Sequence, residues 1–269
     1  MICQGEDVYQ EDLKEMWKQC FPADSESFIR FYFDEIYRKE EALVFLENEK
    51  PAAFLHIIPY QIKTGDGMHH GGYLSGVMTH PNHRKKGYME KLLSASFERM
   101  QTKGYDYVIL IPQEEWLLRF YAKYGFRTLR SPSPSASPSQ PSVFSSSFSI
   151  LRSPSSIYPL YLRFIEKKEN TVVKTEQQFA LIFRDFLSEQ GVAFASEEGM
   201  AFTLKKESRI VLKEIFYTYD AVRSELLTTI RNYYHLDEIV FPNENKGMIK
   251  CLNPSVPNIS NLYMGMMLD

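Results

Sequence analysis

Cysteine is scarce in this 269-residue chain: Cys3, Cys20 and Cys251 are the only three, odd in number and far apart. Such a set builds no disulfide framework and fits a reduced, cytoplasmic chain. Long apolar runs are missing too. None approaches the roughly eighteen consecutive residues a membrane-crossing helix needs, so no membrane role is expected. Residues 1–7 lack a basic stretch followed by an apolar one, which argues against a secretory leader. Nor is there a surplus of positive charge. The 31 Lys and Arg against 34 Asp and Glu leave a net charge of −3, which excludes a general affinity for nucleic acid. Histidines cluster in the sequence at His69, His70, His80 and His83. No cysteine or carboxylate completes a zinc pattern, so they read as loop histidines and no metal site is expected. What the chain does have is apolar mass, 44% hydrophobic and 14% aromatic, enough for one large domain or two small ones.

The most informative segment is 81–88: Pro81, Asn82, His83, Arg84, Lys85, Lys86, Gly87 and Tyr88. It follows a strand-like run, 73–79, and opens a helix-like run, 89–101, whose Met89, Leu92, Leu93, Phe97 and Met100 share one face. Backbone N–H groups at a helix start have no partner within the helix and carry partial positive charge. Gly87 allows positive φ and lets a ligand come close to the backbone. Three cationic side chains stand at the mouth. The unit suits a pyrophosphate. It is neither the Gly-x-x-x-x-Gly-Lys-Ser/Thr nucleotide loop nor the Gly-x-Gly-x-x-Gly dinucleotide turn, since it holds a single glycine. On the turn alone, a solvated basic helix start remains an equal reading.

Downstream lies a second strand, 107–111, ending at Pro112, and then Phe120, Tyr121, Ala122, Lys123, Tyr124, Gly125 and Phe126. Here the chain resembles the GNAT superfamily of acyl-CoA-dependent N-acetyltransferases. The matching residues are Val77, Met78, Thr79, His80 and Pro81 on the strand, Arg84-x-x-Gly87-x-Met89 in the turn, and Phe120-Tyr121-x-Lys123-x-Gly125-Phe126 after the next strand. One position departs, since the family often has Gly or Ala where Met89 stands. The resemblance implies an α/β (α+β) GNAT fold, a mixed central sheet flanked by helices. It implies acetyl-CoA as cosubstrate, with its diphosphate on Arg84, Lys85, Lys86, Gly87, Tyr88 and Met89. The pantetheine arm would pair with backbone groups of Val77, Met78 and Thr79. Tyr121 would be the general acid, with Tyr124 a nearby decoy. The acceptor would be a primary amine on a small molecule or peptide, and a homo-oligomer is left open.

Residues 11–40 are helical, with Leu13, Met16, Trp17 and Cys20 at helical spacing and a second helix over 25–38. Residues 42–46 and 52–58 form a hairpin about a polar turn at 47–51, and 61–72 reads as a polar connection. Ser and Pro fill fourteen of the nineteen positions 131–149, so 131–142 is expected to be a loop. An edge strand over 143–151 and a domain boundary at 152/153 follow. Residues 153–269 echo the first half: a strand at 210–218, a helix capped by Asp220 and running to Tyr234, a short strand at 238–241. Thr218, Tyr219 and Asp220 stand where the basic turn would be, and a carboxylate there repels phosphate. The layout resembles tandem GNAT proteins of the enhanced-intracellular-survival type, an active domain followed by a degenerate copy. In such relatives the terminal carboxylate enters the cleft, which makes Asp269 the candidate base, acting through water. His56 and Glu115 are lesser candidates. Glu35, Glu114 and Glu115 are candidates for holding a cationic acceptor.

Overall fold

The computed structural model describes residues 1–130, 147–241 and 247–267. The expected loop at 131–142 and Asp269 therefore lie outside the described residues. The chain divides into two compact units: Met1–Leu129 with Lys246–Ser260, and Arg130–Asn245 with Asn261–Leu268.

The first unit opens with strand β1 (Ile2–Gln4), helix α1 (Gln10–Cys20) and helix α2 (Glu26–Phe31). Ser25 caps α2 by accepting from the N–H of Phe28 at 3.1 Å. The chain then runs through a π-helical turn, Tyr32–Ile36. Strands β2 (Ala42–Glu47), β3 (Lys50–Thr64) and β4 (Gly67–Thr79) follow as antiparallel neighbours. Helix α3 (Tyr88–Thr102) crosses to β5 (Tyr107–Leu110), which lies parallel to β4. Helix α4 (Glu115–Ala122) and β6 (Arg127–Thr128) complete the run.

The polar connection expected at 61–72 is a correction. β3 and β4 form one long hairpin, paired from Ala53↔Thr79 to Thr64↔Gly67. Tyr60, Ile62 and Thr64 are buried while Pro59 is exposed and Gln61 and Lys63 are half-buried. The polar residues that suggested a connection occupy the outer side of a strand.

Period-two alternation divides the sheet's two faces. Leu43, Phe45, Leu55, Ile57 and Leu74 pack in one cluster with Leu92, Leu93 and Met100 of α3. The alternate residues Phe54 and His56 turn the other way, toward the rings of Tyr37 and Phe33 or Tyr32. In β4, Gly76 and Val77 stand opposite Leu55 alone, which makes a bulge. Gly76 has φ +58°, and a Cβ there would meet the Trp17 ring at 2.6 Å. Gly76→Ala is therefore expected to cost about 2–4 kcal/mol, from left-handed strain plus overpacking, read as a lower urea midpoint.

In the second unit, β7 (Ser149–Leu151), α5 (Pro154–Ile165), β8 (Thr171–Val173), α6 (Glu176–Ser188), β9 (Val192–Ala195), β10 (Gly199–Lys206), β11 (Arg209–Tyr217), α7 (Asp220–Tyr234) and β12 (Ile239–Val240) follow in order. The sheet runs β12-β11-β10-β9-β7. Of the edge strand expected over 143–151, the part from Ser149 is β7. The strand–helix–strand echo is β11–α7–β12, with β12 parallel to β11. Asp220 is the first residue of α7 and does not cap it; Tyr219 holds the N-cap position with no side-chain bond.

The last strand, β13 (Met248–Cys251), returns to the first unit and lies between β5 and β6, completing the order β1-β2-β3-β4-β5-β13-β6. The division thus differs from a single boundary at 152/153. Met248 and Ile249 are each 1% exposed, and burying them between two short strands holds the returning segment. Among the described residues no helix is long and apolar enough to cross a membrane.

Candidate active site

The segment between β4 and α3 departs from regular structure at two left-handed residues, Lys85 (φ +64°) and Gly87 (φ +76°). His80 starts it, its Nδ1 accepting from the N–H of Asn82 at 3.2 Å. Burial, with the His83 imidazole and the Arg84 guanidinium beside it, holds the His80 imidazole below its usual pKa. Arg84 folds back so that Nε donates to the carbonyl of Thr79 at 3.3 Å. Gly87 is the N-cap of α3 and no side chain caps the helix. The donors of the first turn are thus left to another partner, and left-handed residues flank Lys86 on either side, a kind of turn in which successive backbone N–H groups can form an anion-binding concavity. A Cβ on Gly87 would meet no atom within 4 Å. Uncapped donors, open space and flanking cations fit a diphosphate.

This segment forms one wall of a cavity of about 580 Å³. Val77, Met78 and Thr79 of β4 line a second wall, and α4 supplies a third through Tyr121 and its neighbours. Every residue expected to hold the acyl donor, Val77–Thr79 and 84–89, therefore meets Tyr121 around one space. The opening has a topological cause. Pairing of β4 with β5 runs only from Gly71↔Tyr107 to Tyr73↔Ile109, so beyond Tyr73 the β5 side of β4 has no strand partner among the described residues.

Tyr121 lies in the last turn of α4 and is 5% exposed. Its ring sits between Phe120 and Phe126, at centroid distances of 5.2 and 5.6 Å. Burial pushes the phenol well above its ordinary pKa. Helix α4 ends in a tight turn in which the N–H of Phe126 donates to the carbonyl of Tyr121 at 3.3 Å. Gly125 makes that turn possible at φ +85°, where a Cβ would meet Lys250 Nζ at 2.9 Å. Lys250, on β13, donates to the carbonyl of Tyr124 at 2.8 Å. A cation there satisfies a helix-terminal carbonyl and opposes the negative end of the helix dipole. Sequence reasoning missed Lys250, because a partner 126 positions from Tyr124 leaves no local signal.

Two further residues were missed. Cys20 lines the cavity; its thiol donates to the carbonyl of Thr79 at 3.4 Å, and burial pushes its pKa up while Arg84 opposes the shift. Glu47, read from sequence only as part of a turn, gathers the side chains of His83, Lys86 and Tyr88. Hydrogen bonds from Tyr88 and Lys86 hold its carboxyl below the usual range.

The lesser candidates are not brought together. His56 is 1% exposed and does not line the cavity. Its Nε2 accepts from the N–H of Arg38 at 3.3 Å and its Nδ1 meets Tyr32 Oη at 2.9 Å. Burial, with the Arg38 cation, pushes its pKa down to about 3, so both ring nitrogens are committed and the group stays neutral. Glu35 and Glu115 are not on the lining, whereas Glu114 is, with its carboxylate accepting from Trp116 Nε1 at 2.6 Å. Among the described residues no group of three His, Cys, Asp or Glu side chains is placed to hold a metal.

The family model described as an acetyltransferase (GNAT) domain matches residues 5–129. Curated proteins give no match. Among solved structures, a GCN5-related N-acetyltransferase from Anabaena variabilis is similar at 14% identity, over 94% of this chain and 73% of that one, with a TM-score of 0.72. Eis1 from Mycobacterium abscessus is similar at 11% identity, over 94% and 74%, with a TM-score of 0.71. A GCN5-related N-acetyltransferase from Kribbella flavida is similar at 14% identity, over 96% and 65%, with a TM-score of 0.66. At these identities the likeness is one of fold.

Proposed function

We propose that this chain draws an acetyl group from acetyl-CoA and passes it to a primary amine by direct attack, with Tyr121 as general acid; the match of residues 5–129 to an acetyltransferase (GNAT) domain supports this reading. The observation that carries this reading is the meeting of the uncapped 84–89 turn, the open edge of β4 and the Tyr121 phenol on one cavity.

Each residue has a role. The N–H groups of the turn, with Arg84 and Lys85, bind the diphosphate. Backbone groups of Val77, Met78 and Thr79 pair with the pantetheine arm, and one of their N–H groups polarises the thioester oxygen. Holding both reactants at this edge supplies near-attack geometry. The amine forms its C–N bond as the C–S bond breaks, and Tyr121 gives its proton to the departing sulfur. A phenol near pKa 10 and a thiol near 8.5 differ by about 2 kcal/mol in water, a small cost for a proton transfer. The apolar rings around Tyr121 disfavour a bare thiolate as well as a phenolate, so burial does not widen that gap on one side alone.

For the base we carry Asp269, on the resemblance alone, acting through water. Deleting Leu268 and Asp269 is expected to lower kcat while leaving the melting temperature within about 1 °C, as fits a terminal segment; an undiminished kcat would remove Asp269. For the second unit we propose a degenerate copy. Its support is the β11–α7–β12 crossover, in which Asp220 opens the helix and Thr218 donates to the Glu198 carboxylate at 2.6 Å. Acidic groups there oppose a phosphate.

The function is tested by incubating the protein with acetyl-CoA and a panel of primary amines while free thiol is followed. Amine-dependent thiol release supports transfer. Acetyl-CoA binding without release for any amine would leave a binding module, and release with a different acyl thioester alone would reassign the donor.

A further inference from the structure

Glu47 stands at the end of β2, outside the cavity lining, yet three residues of the lining converge on it. Lys86 Nζ donates to both carboxylate oxygens, at 3.1 and 3.0 Å. Tyr88 Oη and His83 Nδ1 meet the same carboxylate. The Tyr88 ring is fixed in turn by stacking on Phe45, two residues before Glu47, at 4.1 Å and 14° between planes. One strand end therefore grips the turn on both sides of its two left-handed residues, Lys85 and Gly87. Lys85 has no glycine's freedom, and a lysine at φ +64° costs about 1 kcal/mol or more unless its surroundings hold it there.

We propose that Glu47 is a positioning residue for acetyl-CoA binding: through Lys86, Tyr88 and His83 it locks the 83–88 turn in the conformation that aims backbone donors into the cavity. This rests on the reading of that turn as the diphosphate site. Lys86 then serves as a strut toward Glu47, while Arg84 and Lys85 remain the cations facing the ligand.

The expected effect of removing the Glu47 carboxylate is opposite in sign to simple electrostatics. Removing a carboxylate beside a diphosphate site relieves repulsion and should tighten binding. Removing a lock on the turn should weaken it. For Glu47→Gln the expected result is about a tenfold rise in acetyl-CoA Kd by calorimetry, the scale of lost charge-assisted bonds. The KM for acetyl-CoA should rise alongside, with kcat at saturation and the melting temperature unchanged. Glu47→Asp, which keeps the charge, should recover part of the loss. Lys86→Met should weaken binding to a similar degree, and the Glu47→Gln, Lys86→Met double variant should lose little more than either single one.

Unchanged or tighter binding by Glu47→Gln, or additive losses in the double variant, would overturn the proposal. If Glu47→Gln does not fold, Lys86→Met decides by its salt dependence: weaker binding whose dependence on added salt matches that of the unaltered protein supports a strut, and unchanged binding, or weaker binding with a reduced salt dependence, overturns it. Failure of the unaltered protein to bind acetyl-CoA would remove the diphosphate reading and this proposal together, whereas binding by the unaltered protein with no effect of Glu47→Gln would remove this proposal alone.

Discussion

Gly87→Glu is expected to raise the acetyl-CoA Kd at least 100-fold, about 2.8 kcal/mol or more at 1.4 kcal/mol per tenfold. Two terms combine. A carboxylate at the mouth of the turn faces the diphosphate; charges about 5 Å apart at an effective dielectric near 20 repel by about 3 kcal/mol. A non-glycine residue at φ +76° adds about 1–2 kcal/mol of strain. The fold itself should survive, since a Cβ at Gly87 meets no atom within 4 Å. Gly87→Ala separates the terms. It carries the strain without the charge, so its Kd should rise by about tenfold. Calorimetry on both variants, with thermal melts as the folding control, checks the pair.

Tyr121→Phe is expected to lower kcat by about 100-fold while the KM for acetyl-CoA stays within about twofold, the pattern of a lost proton donor rather than a lost binding contact. The substitution keeps the ring that fills the space between Phe120 and Phe126, so no cavity opens and stability should change little. The pH dependence follows from the direction of the shift. Burial raises the Tyr121 pKa above the ordinary 10, so the protonated, donating form persists through the whole range below that value. No loss of kcat between pH 7 and about 10 should then trace to this phenol. Tyr124→Phe, altering a residue of the same lining, should keep most of kcat. Equal losses in the two variants would remove the special role of Tyr121.

What could be read from sequence was what lies close together in the chain. The strand, the basic bend with Gly87 and the helix behind it are consecutive, so their chemistry appears as a motif, and the Tyr121–Phe126 segment is legible for the same reason. The long β3–β4 hairpin was hidden because its outer face carries polar residues over 61–70, and a polar run without a count of alternating burial resembles a connection. β13 was read as part of the second half because it follows it. Its place between β5 and β6 depends on pairings such as Ile249↔Ile109, which no local pattern encodes. Glu47 and Lys250 share that cause. Each acts at the site from another strand, Glu47 on Lys86 and Lys250 on the carbonyl of Tyr124, and a residue is invisible as a site member when its partner is distant in sequence. His56 erred in the other direction. A histidine in a strand is an available base until its neighbours are known, and Tyr32 and Arg38 occupy both of its nitrogens.

The central claim is that the bend from Arg84 to Met89 holds the diphosphate of acetyl-CoA. A crystal structure of the protein with coenzyme A tests it most directly. The account predicts diphosphate oxygens within about 3.2 Å of backbone N–H groups at the start of α3, with the thiol end beside Tyr121. A diphosphate bound elsewhere, with the bend facing only solvent, would contradict it.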